Sequence, residues 1–189
     1  RDEASFLHRF YNVSFLDALR TGNINPPIGS GEQDASVKGA WDFAGFNYYS
    51  RILVKSGGRE ILQGSKPLTR KDSLGTTDMG YEIYPQGIYL MIKWLKDYDL
   101  PIYITENGVA VKDDRRRAMS IVLHLEQVHR AIQEGANVQA YFYWSLLDNF
   151  EWSYGFSKRF GLVDVDYRTL ERKARPSAYL YREVIRNKD

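Results

Sequence analysis

One carboxylate in the sequence ends an apolar stretch, where an ordinary solvated acid is not expected. Residues 101–110 read PIYITENGVA, so a β-branched and apolar segment runs up to Glu106 and breaks at an Asn-Gly pair. This composition is typical of a buried strand, and Asn-Gly is typical of a turn. We therefore predict that Glu106 lies at a strand tip, where a carboxylate either caps a turn or takes part in chemistry.

Two further apolar, aromatic segments end in residues of a similar kind. AWDFAGFNYYSRILV carries Asn47 and Tyr49 at its predicted strand end, whereas VQAYFYWS reaches Trp144 and is followed by a loop with Glu151 and Trp152. In parallel α/β proteins the chemistry collects beyond the carboxyl ends of the strands. The three segments therefore predict one shared site made of carboxylates, an amide, a phenol and indoles.

These residue types favour a carbohydrate ligand. Indole rings offer flat apolar faces to the CH faces of a pyranose, and carboxylates and amides pair with adjacent hydroxyl groups. A strand-tip carboxylate can also be the nucleophile of a retaining glycosidase, which forms a glycosyl-enzyme ester. Glu106 fits that role, and Tyr49 is placed to hold its carboxylate in one rotamer.

Each of these residues also has a purely structural explanation. Glu106 can cap a turn, Trp144 can pack in the core, and residues 148–152 can form a polar turn that satisfies its own hydrogen bonds. Placement in a loop favours binding for Glu151 and Trp152, because loops on a rigid scaffold carry a large share of functional residues.

Amphipathic helices separate the three predicted strands, which span about 41–49, 101–106 and 138–145. A first helix covers residues 1–22 and ends at Gly22, with an interruption near Asn12. Since the chain opens on Arg1 inside this helix, we expect it to be a piece of something longer. The polar stretch Ser56–Gly80 is predicted to be a long excursion without strong periodicity.

Three more helices follow from apolar periodicity and capping residues. The first opens at Pro85, the second runs from a cap at Asp113 or Asp114 to Gly135, and the last opens at Pro176. The positions predicted to face the core are Ile88, Met91, Ile92 and Leu95 in the first of these helices, and Ala118, Ile121, Val122, Leu125, Val128 and Ile132 in the second.

Strands that alternate with amphipathic helices predict right-handed βαβ units and a parallel sheet that is buried on both faces. Only three such strands are visible, whereas a closed eight-stranded barrel takes about 250 residues. An open doubly wound sheet would ordinarily show a Gly-rich phosphate turn, which is missing here. Partner strands must therefore come from elsewhere to cover the two free edges.

Composition excludes several classes of function. The formal net charge of +2 does not indicate a nucleic-acid or membrane partner, and no stretch approaches the roughly 20 apolar residues of a membrane span. The arginine run at 115–117 is interpreted as a solvated helix start.

The chain has no cysteine, and His8, His124 and His129 form no zinc-ligand pattern, so we expect no metal and no cofactor. The lack of cysteine favours a reducing compartment such as the cytoplasm.

Four segments resemble family 1 glycoside hydrolases, the β-glucosidase family, in the family's order. They are DFAGFNYYS, DMGYEIYPQGIY, YITENG and YFYWSLLDNFEWSYGFSKRFGLVDVDY, and the resemblance extends over essentially the whole chain. It implies an α/β fold in which residues 1–189 are the C-terminal part of a single (β/α)8 TIM barrel. The three predicted strands would be strands six to eight, with the N-terminal strands outside this chain.

The resemblance also implies a role for each site residue. Glu106 matches the nucleophile, and Asn47 and Tyr49 match substrate-binding residues around it. Trp144 matches the indole beneath the glycone ring, and Glu151 and Trp152 match the pair that binds the outer sugar hydroxyls. Phe160 falls at the aglycone entrance, and Tyr81 stands where the family usually has Trp in the leaving-group subsite.

The main departure from the family is the missing half of the catalytic pair. The family's acid/base glutamate sits in an Asn-Glu-Pro motif that does not occur here, and its N-terminal glutamine and histidine sugar ligands are absent too. Retaining hydrolysis needs two carboxyl groups. The resemblance therefore implies a β-glycoside or oligosaccharide substrate, a complementary N-terminal half of the barrel as partner, and a chain that is inactive alone.

Glu151 bears on the substrate. Family members that act on 6-phosphorylated sugars lack a carboxylate at this position, where it would repel phosphate, so the resemblance implies an unphosphorylated glycone. Two other readings stay open at this point. One is a non-catalytic carbohydrate-binding or assembly fragment, and the other is a transglycosylase that uses the same intermediate with a different acceptor.

Overall fold

A computed structural model describes residues 2–54 and 73–187 of the chain. The strands are β1 (Asn23–Ile24), β2 (Glu32–Gln33), β3 (Ala44–Tyr48), β4 (Ile102–Asn107), β5 (Val138–Tyr143), β6 (Val163–Val165) and β7 (Arg172–Ala174). The α-helices are α1 (Asp2–His8), α2 (Ser14–Thr21), α3 (Gln86–Leu95), α4 (Asp114–Gln133) and α5 (Pro176–Arg186). A π-helical turn, Arg9–Val13, joins α1 to α2, and 3₁₀ turns cover Lys96–Tyr98 and Trp152–Tyr154.

The central sheet consists of β3, β4 and β5, which are parallel and adjacent in chain order. The prediction of three parallel strands in this order is therefore confirmed. The first strand begins at Ala44 rather than near Trp41, because Trp41 packs its ring against Tyr98 outside the ladder. A shift in register between Phe46 and the next residue places Asn47 opposite the strand end at Glu106.

Helix α3 packs against one face of this sheet. Its residues Ile88, Ile92 and Leu95 are buried, and Met91 is partly buried at the margin of the same cluster. The apolar stripe predicted for this helix is thus confirmed, and it forms part of the main core together with Ile102 of β4.

Helix α4 begins as predicted but is rotated relative to the predicted face. The Asp113 side chain caps it by accepting a hydrogen bond of 3.0 Å from the Arg115 backbone N–H. Val122 and Ile132 were predicted to be buried, but they are 45% and 41% exposed. The prediction was wrong there because the buried stripe runs through the residues Arg117, Ile121, His124, Val128 and Ala131.

Two polar residues of that stripe overturn their predictions. Arg117 was assigned to a solvated run, yet its side chain is fully buried and donates hydrogen bonds to the Val111 and Arg159 carbonyl oxygens. His124 was interpreted as a boundary residue, yet it is 1% exposed and its Nδ1 lies 2.7 Å from the Ser120 carbonyl oxygen. Helical spacing locates a buried face, but it does not tell which polar side chains find partners inside it.

The second face of the sheet is open within the described residues. Gly45, Asn47 and Thr105 are exposed on it, and Phe142 of β5 is 54% exposed. The prediction of burial on both faces is therefore wrong for this chain taken by itself. β3 and β5 each pair with β4 along one edge only, so their outer edges carry no strand among the described residues.

Two short ribbons were not predicted. β1 pairs with β2, and β6 pairs with β7, both antiparallel. Strands of two or three residues are too short to show an alternating pattern, so the sequence predicts a loop there.

The other helix boundaries agree with the capping residues that predicted them, since Gly22 ends α2 with a φ of 80° and Pro176 opens α5. Residues 56–72 of the predicted excursion lie outside the described residues.

No helix in the described ranges is long and apolar enough to cross a membrane. Those ranges also contain no group of three or more His, Cys, Asp or Glu residues that could hold a metal ion.

Candidate active site

Glu106 lies at the carboxyl end of β4 and is half-buried. Tyr49 follows β3, the neighbouring parallel strand, and its hydroxyl donates a hydrogen bond of 2.6 Å to Glu106 Oε2. The two residues are 57 positions apart in the chain, but parallel strands in register end at the same edge of the sheet. The structure thus brings together the pair that the sequence predicted.

The Tyr49 hydroxyl is held in its donor state. Burial, followed by the hydrogen bond to the Glu106 carboxylate and the charge of that group, raises the pKa of Tyr49 well above its ordinary value. The phenol therefore stays protonated throughout the physiological range and keeps donating to the carboxylate. This contact holds the Glu106 carboxylate against Tyr49 and so restricts its rotamer.

Asn47 lies directly beside Glu106 in the β3–β4 ladder. Its Oδ1 accepts a hydrogen bond of 2.6 Å from the Thr105 hydroxyl, so the amide is oriented by the residue that precedes Glu106. Thr105 was not among the predicted site residues. Its position next to Glu106 on the apolar run gave no sign that it would orient a neighbour.

Asn107 holds the three strand ends together. It is buried, its Nδ2 donates to the Tyr48 carbonyl oxygen at 2.7 Å, and its Oδ1 accepts from the Tyr141 hydroxyl at 2.7 Å. Its own carbonyl oxygen accepts from the Trp144 backbone N–H at 2.9 Å. This amide satisfies the polar groups of β3, β4 and β5 at once, so it is part of the scaffold under the site.

Aromatic residues surround the pair formed by Tyr49 and Glu106. A packed cluster contains Phe160, which is 3% exposed, with Tyr49, Tyr81 and Trp144 partly buried against it. The Phe160 and Tyr49 ring centroids are 6.0 Å apart in an edge-on arrangement. The packing explanation of Trp144 is therefore confirmed, and its place beside Tyr49 in this cluster is compatible with the predicted sugar-binding role.

Glu151 brings a second negative charge to the site. Partial burial, and then the charge of Glu106, raise the pKa of Glu151 above its ordinary value. The pKa of Tyr81 is raised as well, first by burial and then by Tyr154 and Glu151. Glu151 is therefore close enough to both Glu106 and Tyr81 to interact with them electrostatically, although the three come from separate parts of the chain. Tyr154 was not predicted, and its only signal was its position in an aromatic-rich segment.

Trp152 stands apart from these contacts. It is 82% exposed and has a φ of 41°, a left-handed conformation that is rare for a large residue. Unlike Trp144, its ring is not packed into the aromatic cluster. The structure places it beside Glu151 at the outer rim of the site.

The Asp148 side chain is not available to bind a ligand, although Asp148 follows the end of a predicted strand together with the other polar residues. Its carboxylate is fully buried and forms ion pairs with Arg159 at 3.1 Å and Arg175 at 2.8 Å. Burial alone would raise the pKa of Asp148, but hydrogen bonds from Arg175 and the Gly161 backbone outweigh it and hold the pKa below its ordinary range. For Asp148, the structural explanation is therefore correct, because its hydrogen bonds are satisfied within the protein.

The assembled site combines an oriented, half-buried carboxylate with a second carboxylate and partly exposed aromatic rings. Such a site can present an anionic nucleophile to a carbon atom of a neutral ligand, accept hydrogen bonds from hydroxyl groups and stack against apolar ring faces.

Comparison with known sequences gives consistent matches along the chain. A sequence model described as Glycosyl hydrolase family 1 matches residues 5–189. A beta-galactosidase from Sulfolobus acidocaldarius is 41% identical over 187 residues, which cover 95% of this chain and 38% of the relative. A beta-glucosidase A from Acetivibrio thermocellus is 45% identical over 157 residues, covering 77% of this chain and 35% of the relative.

Solved structures agree with these matches. A beta-glycosidase from Pyrococcus horikoshii superposes with a TM-score of 0.86 at 40% identity, covering 100% of this chain and 44% of that one. A beta-glucosidase from Thermotoga maritima in complex with castanospermine gives 0.83 at 35% identity, covering 98% and 46%. The chain therefore spans less than half the length of these relatives, and its fold corresponds to part of their TIM barrel.

Proposed function

Because the chain belongs to glycosyl hydrolase family 1, we propose that it is the C-terminal part of a (β/α)8 barrel that acts as a retaining β-glycosidase. In this proposal β3, β4 and β5 are the sixth, seventh and eighth barrel strands, and residues 1–189 belong to one barrel domain. The parallel order of the strands, the helices between them and the open outer edges of β3 and β5 support this assignment.

The observation that carries the proposal is the hydrogen bond between Tyr49 and Glu106 at the carboxyl ends of two parallel strands. A barrel enzyme builds its site at this end of the strands. A carboxylate that is held in place by a neighbouring phenol at the carboxyl end of a strand is preorganised as a nucleophile needs to be.

In the first step, a Glu106 carboxylate oxygen attacks the anomeric carbon of a β-linked sugar. A bond forms between these two atoms, and the bond from the anomeric carbon to the aglycone oxygen breaks with its electron pair. A general acid protonates the departing oxygen. The product on the protein is a glycosyl ester of Glu106, and the aglycone leaves as an alcohol.

In the second step, the group that acted as acid takes a proton from water, and the water oxygen attacks the anomeric carbon. The ester bond to Glu106 breaks, and its electron pair returns to the carboxylate. The Tyr49 hydroxyl stabilises this returning charge, because its raised pKa keeps the proton on the phenol. Two inversions at the same carbon retain the β configuration.

A complementary N-terminal segment must supply the general acid. Retaining hydrolysis needs two carboxyl groups about 5 to 5.5 Å apart, and the family's Asn-Glu-Pro motif is absent from this sequence. We propose that the chain is inactive without that segment, which would cover the open sheet face and pair with the free edges of β3 and β5. The complete protein below means this chain together with that segment.

The other site residues bind the sugar in this proposal. Trp144 lies beneath the glycone ring, Glu151 and Trp152 bind its outer hydroxyl groups, and Phe160 and Tyr81 border the leaving group. Asn47 contacts the sugar near Glu106, where Thr105 orients its amide. The negative charge of Glu151 repels a phosphate group, so the substrate class is β-glycosides with an unphosphorylated glycone.

Azide rescue of Glu106→Ala in the complete protein tests the proposal. With a dinitrophenyl β-glucoside, whose leaving group needs no acid, the variant should lose turnover and regain phenol release when azide is added. The product should be the α-glucosyl azide, because a single displacement inverts the anomeric carbon. Glu151→Ala is the matched control, and it should hydrolyse the substrate without forming α-azide.

Two results would overturn parts of the proposal. Turnover by Glu106→Ala at the unmodified rate would reject Glu106 as nucleophile. Sugar binding by the complete protein, with no turnover in any variant and no azide product, would identify a non-catalytic carbohydrate-binding or assembly protein instead.

A further inference from the structure

A buried ion cluster lies between the segments that carry Glu151 and Phe160, and its charged side chains are not among the predicted sugar ligands. Its centre is the Asp148 carboxylate, whose side chain has no exposed surface. Five N–H donors reach it: Arg159 Nη1 at 3.1 Å, Arg175 Nη1 at 3.1 Å and Nη2 at 2.8 Å, and the backbone N–H groups of Gly161 at 2.9 Å and Val165 at 3.4 Å.

This cluster joins two segments that border the site on different sides. Asp148 precedes Glu151 by three positions, whereas Arg159 and Gly161 flank Phe160 on both sides. Each contact of Asp148 to these two neighbours therefore ties the loop that carries Glu151 to the segment that carries Phe160.

Arg159 has a further set of contacts that fix it in place. Its Nη1 also donates to the Val165 carbonyl oxygen at 2.9 Å, and its own carbonyl oxygen accepts from the buried Arg117 at 2.7 Å. Its guanidinium lies 4.6 Å from the Tyr167 ring centroid. The Tyr167 hydroxyl in turn donates to the Asn149 carbonyl oxygen at 3.3 Å, inside the Glu151 loop.

Stability alone gives a weak reason for such a cluster. Removing charges from water opposes the attraction between them, so well-packed apolar residues often stabilise a core as much as a buried ion pair does. Directional hydrogen bonds also hold the groups that they join in one defined arrangement. Here they join the two segments that border the site.

We propose that Asp148 and Arg159 are positioning residues that hold the Glu151 loop at a fixed distance from Phe160, and so set how strongly the enzyme selects for the outer hydroxyl groups of the sugar. The inference rests on the proposed function, because it assigns the Glu151 loop to the sugar. It extends that function from the groups that touch the substrate to the groups that hold them.

The first test is a double-mutant cycle in the complete protein. Arg159→Gln should lower kcat/KM for an aryl β-glucoside by about 10- to 100-fold, mainly through KM, and by less than about 3-fold for the 6-deoxy analogue. In a Glu151→Ala background the same change should lower kcat/KM by less than about 3-fold, because truncation of the side chain has already removed the hydroxyl contact. Arg159→Lys, which keeps the charge, should recover part of the selectivity.

The matched control is Asp164→Asn. Asp164 pairs with Arg175 from the exposed side of the cluster, and 51% of its side chain is exposed. This change should leave the selectivity between the two substrates unaltered. A merely structural role for Arg159 would give equal losses with both substrates and in both backgrounds, and that result would overturn the inference while leaving the proposed function intact.

A second measurement does not depend on turnover. The four tryptophans can be labelled with 5-fluorotryptophan, and the ¹⁹F resonance of Trp152 then reports the position of the Glu151 loop. Arg159→Gln should shift or broaden the Trp152 resonance and leave that of Trp94 on α3 unchanged. An unchanged Trp152 resonance in a folded variant would show that the cluster does not position the loop.

Discussion

The Tyr49 hydroxyl is the closest polar contact of the proposed nucleophile. It reaches Glu106 from a neighbouring strand at 2.6 Å, and its raised pKa keeps it a donor. A hydrogen bond to a charged group contributes about twice as much as one between neutral groups. At the scale of single residues, the proposed mechanism therefore depends on this hydrogen bond in both chemical steps.

Tyr49→Phe removes this donor and keeps the ring that packs near Phe160. We expect kcat/KM of the complete protein to fall by about 10- to 100-fold, since a hydrogen bond to a charged group is worth about 1.5 to 3 kcal/mol. Steady-state kinetics with an aryl β-glucoside measures the loss. Tyr48→Phe, whose hydroxyl bonds to the Tyr84 carbonyl oxygen away from Glu106, is the control. Equal losses in both variants would contradict a specific role for Tyr49.

Glu151→Ser tests the assignment of the sugar hydroxyls and of phosphate exclusion. The variant should bind neutral glucosides more weakly, by about 10-fold or more, because a charge-assisted hydrogen bond is lost. It should discriminate less against 6-phosphoglucosides, because the repulsive charge is removed. The ratio of kcat/KM values for the two substrates measures both effects. An unchanged ratio would mean that Glu151 only braces its loop.

At the residue scale, the sequence predicted the pair of Tyr49 and Glu106 because both end apolar strands, where parallel topology brings side chains together. It did not distinguish Asp148 from Glu151, which lie three positions apart in the same polar segment. The difference comes from Arg159 and Arg175, whose side chains close on Asp148 only in the folded chain. No local pattern shows that contact.

At the scale of elements, the tips of β4 and β5 approach each other unusually closely. A Cβ atom added to Gly108 would lie 1.8 Å from the Trp144 carbonyl oxygen, a distance that requires the backbone to move. The Asn-Gly pair therefore does more than mark a turn. Its glycine allows Trp144 to lie against the end of the strand that carries Glu106.

Gly108→Ala should destabilise the complete protein by roughly 3 kcal/mol, because the backbone contact leaves no space for a methyl group. Urea unfolding measures the change in free energy. Gly45→Ala is the matched control, because its Cβ would meet side chains rather than backbone, with Thr105 at 3.3 Å and Phe43 at 3.5 Å. A Gly108→Ala variant as stable as Gly45→Ala would contradict the close approach.

Helix α4 buries a histidine whose protonation links stability to pH. Burial lowers the pKa of His124 from 6.5 to about 4, against a smaller opposing effect of its hydrogen bond to Ser120. The unfolded chain therefore takes up a proton at a higher pH than the folded chain. The contribution of the neutral histidine is fully present above pH 6.5 and is lost as the pH falls toward 4.

His124→Leu should flatten this part of the stability profile. The native protein should lose on the order of 3 kcal/mol through this residue between pH 6.5 and pH 4, and the variant should not. Urea unfolding of the complete protein at several pH values in this range measures the slope. His129→Leu, an exposed position on the same helix, should keep the native slope. A native slope in His124→Leu would refute the linkage.

For the helices, the predicted ends at Asp113 and Gly22 are confirmed, whereas part of the predicted buried face of α4 is wrong. The cap at Asp113 and the stop at Gly22 were predicted because each uses a local backbone requirement. The buried face of α4 was assigned partly to Val122 and Ile132, because apolar residues occur on more than one side of this helix. Which side is buried depends on tertiary contacts, which bury Arg117 and His124 instead.

At the scale of the whole molecule, the described chain is a sheet of three parallel strands with helices on one face and an open second face. The order and direction of the strands were predicted from the alternation of apolar and amphipathic segments. The second face is open among the described residues, contrary to the prediction that both faces are buried. In the proposed function, one complementary segment both covers this face and supplies the general acid, so closure of the barrel and completion of the catalytic pair are proposed to occur together.

Complementation tests this link between architecture and chemistry. The chain alone should release less than about 1% of the product of the complete protein from a glucoside with a poor leaving group, because acid catalysis contributes about 10²- to 10⁴-fold. Adding the complementary segment should restore activity in proportion to complex formed. Full activity of the chain alone would contradict the proposed need for a second segment.

The most direct measurement of the central claim is intact mass spectrometry of the complete protein after incubation with a dinitrophenyl 2-deoxy-2-fluoro-β-glucoside. The fluorine slows the second step, so the glycosyl ester should accumulate as one added sugar mass on this chain, and peptide mapping should place it on Glu106. Glu106→Gln should remain unlabelled under the same conditions. A sugar attached elsewhere, or no attachment while the probe is hydrolysed, would contradict Glu106 as the nucleophile.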